Sequence, residues 1–349
     1  YNEVLDDLAD VRTGSEFFSS ATQTVTENLA VLSYRKGDFG NATDYVKQIV
    51  TSENDISLGK TARFRKVASR IVVINTELDR DYEIMSPYLS DYYADYDSCH
   101  NLLAARRNEL LAGEKPSEAD ASDESQPYEE PAIYISDAEA DDYRLAAVDY
   151  YIYITLTALD RDGETLELLE EMHDRAPDAF FFYISPLLKK YVVLAAAGED
   201  GYADKALALC AESEKNNPED AFPHYGRTQI YRVSGDYEAA LAAADAGMEA
   251  APDNYELKRQ KAIVYMLQEK YDDALELLKD CFDNDGNITI SEAETYALCG
   301  AAMGSDEVVE AVTELYSQYG LTLGDAVTAF MNGETTIEEI FLTGECDVA

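Results

Sequence analysis

Small and hydrophobic residues recur at helical spacing in two adjacent segments, Phe222–Val233 and Tyr237–Ala251. The second segment is rich in alanine, the first contains two tyrosines, and neither contains a proline after Pro223, so the pattern predicts two helices. Gly235 between them suits a left-handed turn, and Asp236 suits the cap of the second helix. Alanines along that helix predict that the two helix axes pack closely as an antiparallel hairpin.

The hairpin pattern repeats along the chain with a fixed period. The interval from Pro218 to Pro252 also separates the segment 235–240 from its counterparts at 201–206 and 269–274. Tyr231 and Tyr265 have the same separation. A period of this size, about 34 residues, is typical of stacked helix pairs, which present a surface to a partner.

The repeated residues resemble the tetratricopeptide repeat. The residues that carry the resemblance are Tyr231, Gly235, Tyr237, Ala240 and Pro252 in one copy, Tyr265, Tyr271 and Ala274 in the next, and Gly201, Ala206 and Pro218 in the preceding one. The large aromatic residue that opens each repeat in the family is replaced by His224 and Lys258. The resemblance implies an all-α fold, a superhelical stack of antiparallel helix pairs (a tetratricopeptide-repeat-like α-solenoid) with helical caps.

The resemblance is clear from Leu187 to Asp285, and a weaker copy contains Leu29, Tyr34, residues 37–39 and Ala42. Composition divides the chain further, because residues 113–125 are acidic, rich in serine and free of large hydrophobic residues. The predicted sections are an N-terminal helical region with the degenerate repeat (1–112), an acidic loop or linker (113–142), tetratricopeptide-like repeats (143–285) and C-terminal capping helices (286–349).

The resemblance also implies a binding surface, because the first helix of each pair lines the concave side of the stack in this family. The implied peptide-binding residues are Tyr191, Tyr225, Gln229, Arg232, Arg259 and Gln260. Arg232 and Arg259 are cations in an acidic protein, so we expect them to receive a carboxylate from an extended peptide.

The charge of the chain bears on possible partners. With 27 basic and 70 acidic residues, the net charge is −43. Nucleic-acid binding and binding to anionic membrane surfaces are disfavoured, because both need concentrated Lys and Arg.

No segment has the roughly 18 to 20 apolar residues of a membrane span. Because the sequence begins at Tyr1, we expect an N-terminal piece to have been removed; the extracellular part of a membrane-anchored bacterial protein is one hypothesis, and a cytoplasmic protein is the alternative.

Candidate metal sites are weak. The five cysteines are scattered without a CxxC pair, and Cys210, Cys281 and Cys299 are expected to be small buried hydrophobic residues. The three histidines lie far apart in sequence, which favours structural roles. Residues 283–292 resemble a calcium loop that offers Asp283, Asp285 and Glu292, but Cys281 stands at the first ligand position. A polar turn between repeats is favoured there, and the sequence predicts neither a metal nor a cofactor.

Two further groups of residues have alternative interpretations. Lys60, Arg63, Arg65, Lys66 and Arg70 form the densest basic cluster, for which internal ion pairs are favoured over docking of an acidic partner. The aromatic runs Tyr150–Tyr153 and Phe180–Tyr183 are favoured as core over groove lining.

The sequence thus predicts a non-enzymatic scaffold that binds a protein or peptide through a concave groove. No catalytic motif is recognisable, and carboxylates are too frequent for one pair to be singled out. The alternative hypotheses are an enzyme or a solute-binding protein built on a helical-repeat cradle, related to carbohydrate or peptidoglycan. The partner, the compartment and the oligomeric state remain open.

Overall fold

A computed structural model describes residues 16–53, 62–89, 94–113, 135–216, 220–252, 254–284 and 288–342. These residues form helices α1 (Glu16–Arg35), α2 (Phe39–Glu53), α3 (Ala62–Met85), α4 (Tyr96–Leu111), α5 (Asp137–Ala158), α6 (Asp162–Arg175), α7 (Ile184–Ala196), α8 (Tyr202–Asn216), α9 (Phe222–Val233), α10 (Tyr237–Ala250), α11 (Tyr255–Leu267), α12 (Tyr271–Asn284), α13 (Ile290–Met303), α14 (Asp306–Gln318), α15 (Asp325–Met331) and α16 (Ile337–Phe341). Short 3₁₀ helices follow α3 and α6. The described ranges contain no β-sheet, only an isolated bridge between Leu89 and Ala94. The predicted all-α fold class is confirmed.

Short polar side chains set the starts of several helices. The Asp236 carboxylate accepts a hydrogen bond from the Ala239 backbone N–H at 3.0 Å, as the sequence predicts. Thr289 and Glu292 form a reciprocal capping box at the start of α13. Each such cap satisfies backbone donors that have no partner within the helix, so the polar residues between repeats fix where the helices begin.

The described chain divides into two compact units, residues 1–185 and residues 186–349. In the first unit, α1 pairs with α2, α5 contacts α6, and both α3 and α4 pack mainly on α5. Helix α1 also contacts α3. Helices α1, α3 and α5, the first helices in chain order, therefore form a continuous layer, while α4 packs more on α5 than on α3.

The second unit is built from regular helical hairpins. Its pairs α9–α10, α11–α12 and α13–α14 are stacked, and their first helices contact in sequence, α9 with α11 and α11 with α13. The short helices α15 and α16 pack on α13 and α11 respectively. Val327, Ile340 and Phe341 bring these terminal helices into the hydrophobic core. They cover apolar surface of the stack, as terminal elements of repeat proteins must.

The period of the sequence is visible in the packing. Ala206, Ala240 and Ala274, each one period from the next, are all fully buried at the contact of paired helices. The weaker N-terminal copy is also confirmed as a hairpin, because Gly37 has a left-handed φ of 72° between α1 and α2 and Ala42 is fully buried. The division into four sections stays a prediction, and the boundary between the two units falls inside the predicted repeat section.

Within the described ranges, no helix combines the length and the hydropathy that crossing a bilayer requires.

Candidate functional site

Five of the six implied binding residues lie on neighbouring first helices of the second unit. Tyr225, Gln229 and Arg232 belong to α9, and Arg259 and Gln260 belong to α11. The three residues of α9 are spaced four and three residues apart, which places them along one side of that helix, and α9 contacts α11 directly. We call this group, together with Glu256 of α11, the α9–α11 network.

Hydrogen bonds join the members of the network within and between the helices. Gln229 Nε2 donates to the Tyr225 hydroxyl at 2.7 Å, and Arg232 Nη1 donates to Gln260 Oε1 at 3.0 Å. Gln260 Nε2 in turn donates to Glu256 Oε1 at 2.9 Å. The link from Arg232 through Gln260 to Glu256 therefore couples the two helices by polar contacts.

Arg259 completes the network with a bidentate ion pair. Its Nε and Nη2 donate to the two carboxylate oxygens of Glu256 at 2.9 and 2.6 Å, and its Nη1 lies 3.4 Å from Thr295 Oγ1 of α13. Burial alone would lower the pKa of Arg259, but the charge and hydrogen bonds of Glu256 raise it. The guanidinium is therefore a fixed cation, and it also contacts α13, the first helix of the next pair.

The structure differs from the sequence-based expectation in the exposure of the arginines. Arg232 is 0% exposed and Arg259 is 3% exposed, whereas the Glu256 side chain is 36% exposed. The cations lie beneath the surface because the helices pack closely and the Glu256 carboxylate already satisfies Arg259. The members of the network that reach solvent are Glu256 of α11 and the half-buried Tyr225 of α9. Their role in peptide binding stays a prediction.

Tyr191, the sixth residue, belongs to a different group of contacts. It lies on α7 and is buried, with its ring centroid 5.7 Å from that of Tyr202 on α8. Lys205 Nζ lies 5.4 Å from the Tyr191 ring and 4.8 Å from the Tyr202 ring. These contacts join α7 to α8 through a cation–π arrangement.

The first unit contains a buried ionic cluster that the sequence did not reveal. Its carboxylates are Glu77 and Asp81 of α3 and Asp149 of α5, and its cations include Arg106 of α4. The spacing of Glu77 and Asp81 puts both on one helical face, but similar spacings occur throughout a chain with 70 acidic residues. Only the packing of the three helices distinguishes this pair.

Arg70, a member of the basic cluster, lies in α3 and shows the internal pairing that the sequence favours. Arg70 Nη2 lies 2.6 Å from Glu139 Oε1, and its guanidinium carbon lies 5.5 Å from the centroid of the Tyr143 ring. Tyr143 in turn shares a 3.1 Å hydrogen bond with the Tyr34 hydroxyl. These contacts connect α1, α3 and α5, the first helices of the N-terminal unit. Lys60 lies outside the described residues.

The aromatic runs contribute to packing within the first unit. The ring centroid of Phe182 is 5.6 Å from those of both Phe39 and Tyr150. Phe182 and Tyr183 are buried, and Tyr150 is half-buried. The preference for core over groove is therefore confirmed for Phe182 and Tyr183.

The cysteines and histidines occupy structural positions where they are described. Cys210, Cys281 and Cys299 are free and buried, as expected, and burial raises the pKa of each thiol to about 12. His100 Nδ1 lies 3.3 Å from Thr155 Oγ1, and the His173 ring packs against Tyr183.

The predicted calcium loop falls partly outside the described residues, since 285–287 are not among them. At its end, Glu292 is buried, and its carboxylate accepts hydrogen bonds from the Thr289 backbone N–H and hydroxyl at 2.7 and 2.9 Å. Helix capping thus engages the residue that a calcium ion would need as its twelfth-position ligand.

Comparisons with known proteins give similarity to solved structures only. No protein-family model and no curated protein sequence matches the chain. TTC0263, a thermophilic tetratricopeptide repeat protein of Thermus thermophilus, is 17% identical over 64% of this chain and 98% of its own, with a TM-score of 0.40. A tetratricopeptide repeat protein from Parabacteroides merdae is 11% identical over 89% and 97%, with a TM-score of 0.47. Yeast Tom70 is 13% identical over 99% and 80%, with a TM-score of 0.36.

The fold follows from the chain's own helices. Paired helices repeat with a fixed period, a buried alanine recurs at each pair, and the first helices of successive pairs contact one another. With this construction the chain has an all-α fold of stacked helix pairs like that of tetratricopeptide repeat proteins.

Proposed function

We propose that this protein is a non-enzymatic scaffold that binds another protein or a peptide along the first helices α9, α11 and α13. The observation that carries the proposal is the α9–α11 network, in which hydrogen bonds join Arg232 of α9 through Gln260 and Glu256 to Arg259 of α11. Gln229 and Tyr225, also assigned to the binding surface from the sequence, form a further hydrogen bond on α9. Repeat proteins of this kind use the face made by such helices to bind extended partners.

The exposed members of the network are the groups that a partner would touch. Glu256 offers a carboxylate that is already oriented by Arg259 and Gln260, and Tyr225 offers a ring and a hydroxyl. A carboxylate held in place by buried donors loses little conformational freedom on binding, which favours affinity. The buried Arg232 and Arg259 therefore act as positioning residues in this proposal, and a partner meets Glu256 and Tyr225 first.

Asp81 bears on the alternative of an enzyme. A catalytic carboxylic acid often has a strongly raised pKa and must also contact substrate in a cleft. Burial, followed by the charge of Glu77, raises the pKa of Asp81 to about 7, but its side chain is 0% exposed. Because substrate cannot reach a fully buried carboxyl group, the raised pKa of Asp81 does not support the hydrolytic alternative. An extracellular bacterial location, with the cytoplasm as the alternative, stays a prediction.

Site-specific photocrosslinking tests the proposal and does not require a candidate partner. A benzophenone amino acid replaces Tyr225 in one variant and the exposed Ala242 of α10 in a matched control. After irradiation in cells, mass spectrometry identifies the attached chain. We expect one partner attached through position 225 and not through position 242, and a synthetic peptide from its crosslinked segment should bind the purified protein. Equal attachment from both positions, or attachment from 242 alone, would contradict the proposal.

A further inference from the structure

Helices α3, α4 and α5 of the first unit enclose three carboxylates in a protein interior. The side chains of Glu77, Asp81 and Asp149 are 4%, 0% and 0% exposed. Removing a carboxylate from water is costly unless cations and hydrogen-bond donors replace the lost hydration. The arginines around these groups therefore decide which carboxylates remain charged.

Two of the three carboxylates have arginine side chains at close range. Glu77 has Arg80 Nη1 at 3.0 Å, Arg106 Nη2 at 3.1 Å and Arg144 Nε at 3.7 Å. Asp149 has Arg107 Nε at 2.7 Å and Arg175 Nη2 at 2.5 Å.

Asp81 has no arginine at such close range. Arg106 Nε lies 3.9 Å from Asp81 Oδ1, and within the described structure neither carboxylate oxygen of Asp81 has a hydrogen-bond partner. Arg106 Nε has none either, and the Nη2 of the same guanidinium is engaged by Glu77. The groups that face Asp81 are Glu77 and Arg80 from α3, Arg106 from α4, and Asp149 and Tyr151 from α5.

We propose that Asp81 is a proton-operated latch in the N-terminal unit: its protonated form holds α4 against α3 and α5, and loss of the proton loosens this packing. The neutral carboxyl group removes the repulsion from Glu77 and needs no guanidinium of its own, so the cluster closes with the arginines that are present. When Asp81 ionises, its carboxylate is a buried negative charge that receives no hydrogen bond and is repelled by Glu77. The latch goes beyond the binding function proposed for α9, α11 and α13, because it lies in the other unit and does not depend on a partner.

The direction of the pH effect follows from linkage. Burial and the Glu77 charge raise the pKa of Asp81 to about 7, although Arg106 opposes the shift. In an opened state, where water reaches the carboxyl group, the pKa returns towards about 4. The closed state therefore binds the proton more tightly, and opening becomes easier as the pH rises from about 4 to about 7. The opening constant increases at most about tenfold for each pH unit in this window and changes little above it.

Amide hydrogen exchange of the whole chain measures this opening directly. Protection factors of α4 amides, corrected for the pH dependence of intrinsic exchange, are compared between pH 5 and pH 8 for the wild type, Asp81→Asn and Asp79→Asn. Asp79 is an exposed carboxylate of the same helix, so it is the matched control. In the wild type and in Asp79→Asn we expect α4 protection to fall by as much as about fiftyfold from pH 5 to pH 7. In Asp81→Asn the protection should be nearly independent of pH.

Two results would overturn the latch: α4 protection in the wild type that does not change with pH, or the same pH slope persisting in Asp81→Asn. If Asp81→Asn does not fold, carbon-13 labelling of aspartate carboxyl groups in an Asp142→Asn background gives a second readout. Asp142 is replaced because burial also raises its pKa. One aspartate resonance should then titrate near neutral pH, and titration of every aspartate below about pH 5 would contradict the proposal.

Discussion

One position of the repeat has left-handed backbone geometry whichever residue stands there. Gly198, Gly235 and Glu269, each two residues after the end of α7, α9 or α11, have φ values of 82°, 78° and 60°. Glycine adopts this conformation without steric cost, whereas a residue with a Cβ is strained by roughly 1–2 kcal/mol. Glu269 shows that the hairpin turn is enforced by the packing of the pair and not by glycine alone.

Replacing Gly235 with alanine tests this geometry. The Cβ of alanine would be strained at φ 78°, so we expect Gly235→Ala to lower the free energy of unfolding by about 1–2 kcal/mol. Gly163, in the first turn of α6, has open space where a Cβ would lie and no positive φ. Gly163→Ala should therefore stabilise by roughly 0.5–1 kcal/mol. Denaturant unfolding measures both, and a stabilised Gly235→Ala variant would contradict the role of the left-handed turn.

A second prediction at the residue scale concerns the support of a buried cation. Glu256→Gln removes the negative charge opposite Arg259, which is 3% exposed, while keeping the size of the side chain. Because the guanidinium would remain buried without its bidentate partner, we expect a loss of about 1–3 kcal/mol in the free energy of unfolding. Glu249→Gln, at an exposed position of α10, is the control and should change stability by less than about 0.5 kcal/mol. Equal effects of the two substitutions would show that the ion pair contributes nothing.

The positions of Arg232 and Arg259 on first helices were predictable, but their burial was not. Helical spacing assigns a residue to a side of its own helix, and the family resemblance assigns that side to the concave face. Exposure depends on what the next helix places above the side chain: Gln260 of α11 lies against Arg232, and Thr295 of α13 lies against Arg259. That information lies in contacts between repeats, which a single sequence does not specify.

At the scale of the element, helix boundaries followed local signals closely. The predicted first helix Phe222–Val233 has the observed bounds, and the predicted partner Tyr237–Ala251 ends one residue earlier in the structure. The repeat section is predicted to begin at residue 143, but its first helix begins at Asp137, because the Ser136 hydroxyl accepts a hydrogen bond from the Glu139 N–H at 3.1 Å. The acidic composition of the preceding segment concealed this cap within the predicted loop.

Close approach of helices gives a prediction at the same scale. A Cβ on Gly226 of α9 would lie 2.6 Å from Cys210 Sγ of α8 and 2.7 Å from Leu188 Cδ2 of α7. We expect Gly226→Ala to destabilise the protein by about 1–3 kcal/mol, because neighbouring side chains must move. Removing the sulfur with Cys210→Ala should relieve part of this clash.

A double-mutant cycle measures the relief. The combined Gly226→Ala and Cys210→Ala variant should be more stable than the sum of the single losses by at least about 0.5 kcal/mol. Strict additivity in denaturant unfolding would mean that Leu188 or the backbone absorbs the added methyl group, and that the α8–α9 contact is not limited by Cys210.

At the scale of the whole molecule, charge is distributed unevenly between interior and surface. The described interior holds both signs, with Arg106, Arg232 and Arg259 buried alongside carboxylates such as Glu77 and Asp149. Since the chain has only 27 basic residues against 70 acidic ones, this mixed interior accounts for little of the negative charge. The buried arginines stabilise helix contacts locally, while the surface carboxylates repel one another over longer distances.

These two effects respond differently to salt, which gives a prediction for the intact protein. Surface repulsion between carboxylates is screened as the Debye length falls from about 30 Å at 10 mM salt to about 8 Å at 150 mM, whereas buried ion pairs are screened much less. With a net charge of −43, we expect the thermal unfolding midpoint to rise by a few degrees over this range of sodium chloride. Choline chloride at matched ionic strength should give a similar rise, because screening does not depend on a bound sodium ion. A midpoint that falls with both salts would mean that surface ion pairs outweigh the repulsion, and a rise with sodium alone would indicate a specific cation site.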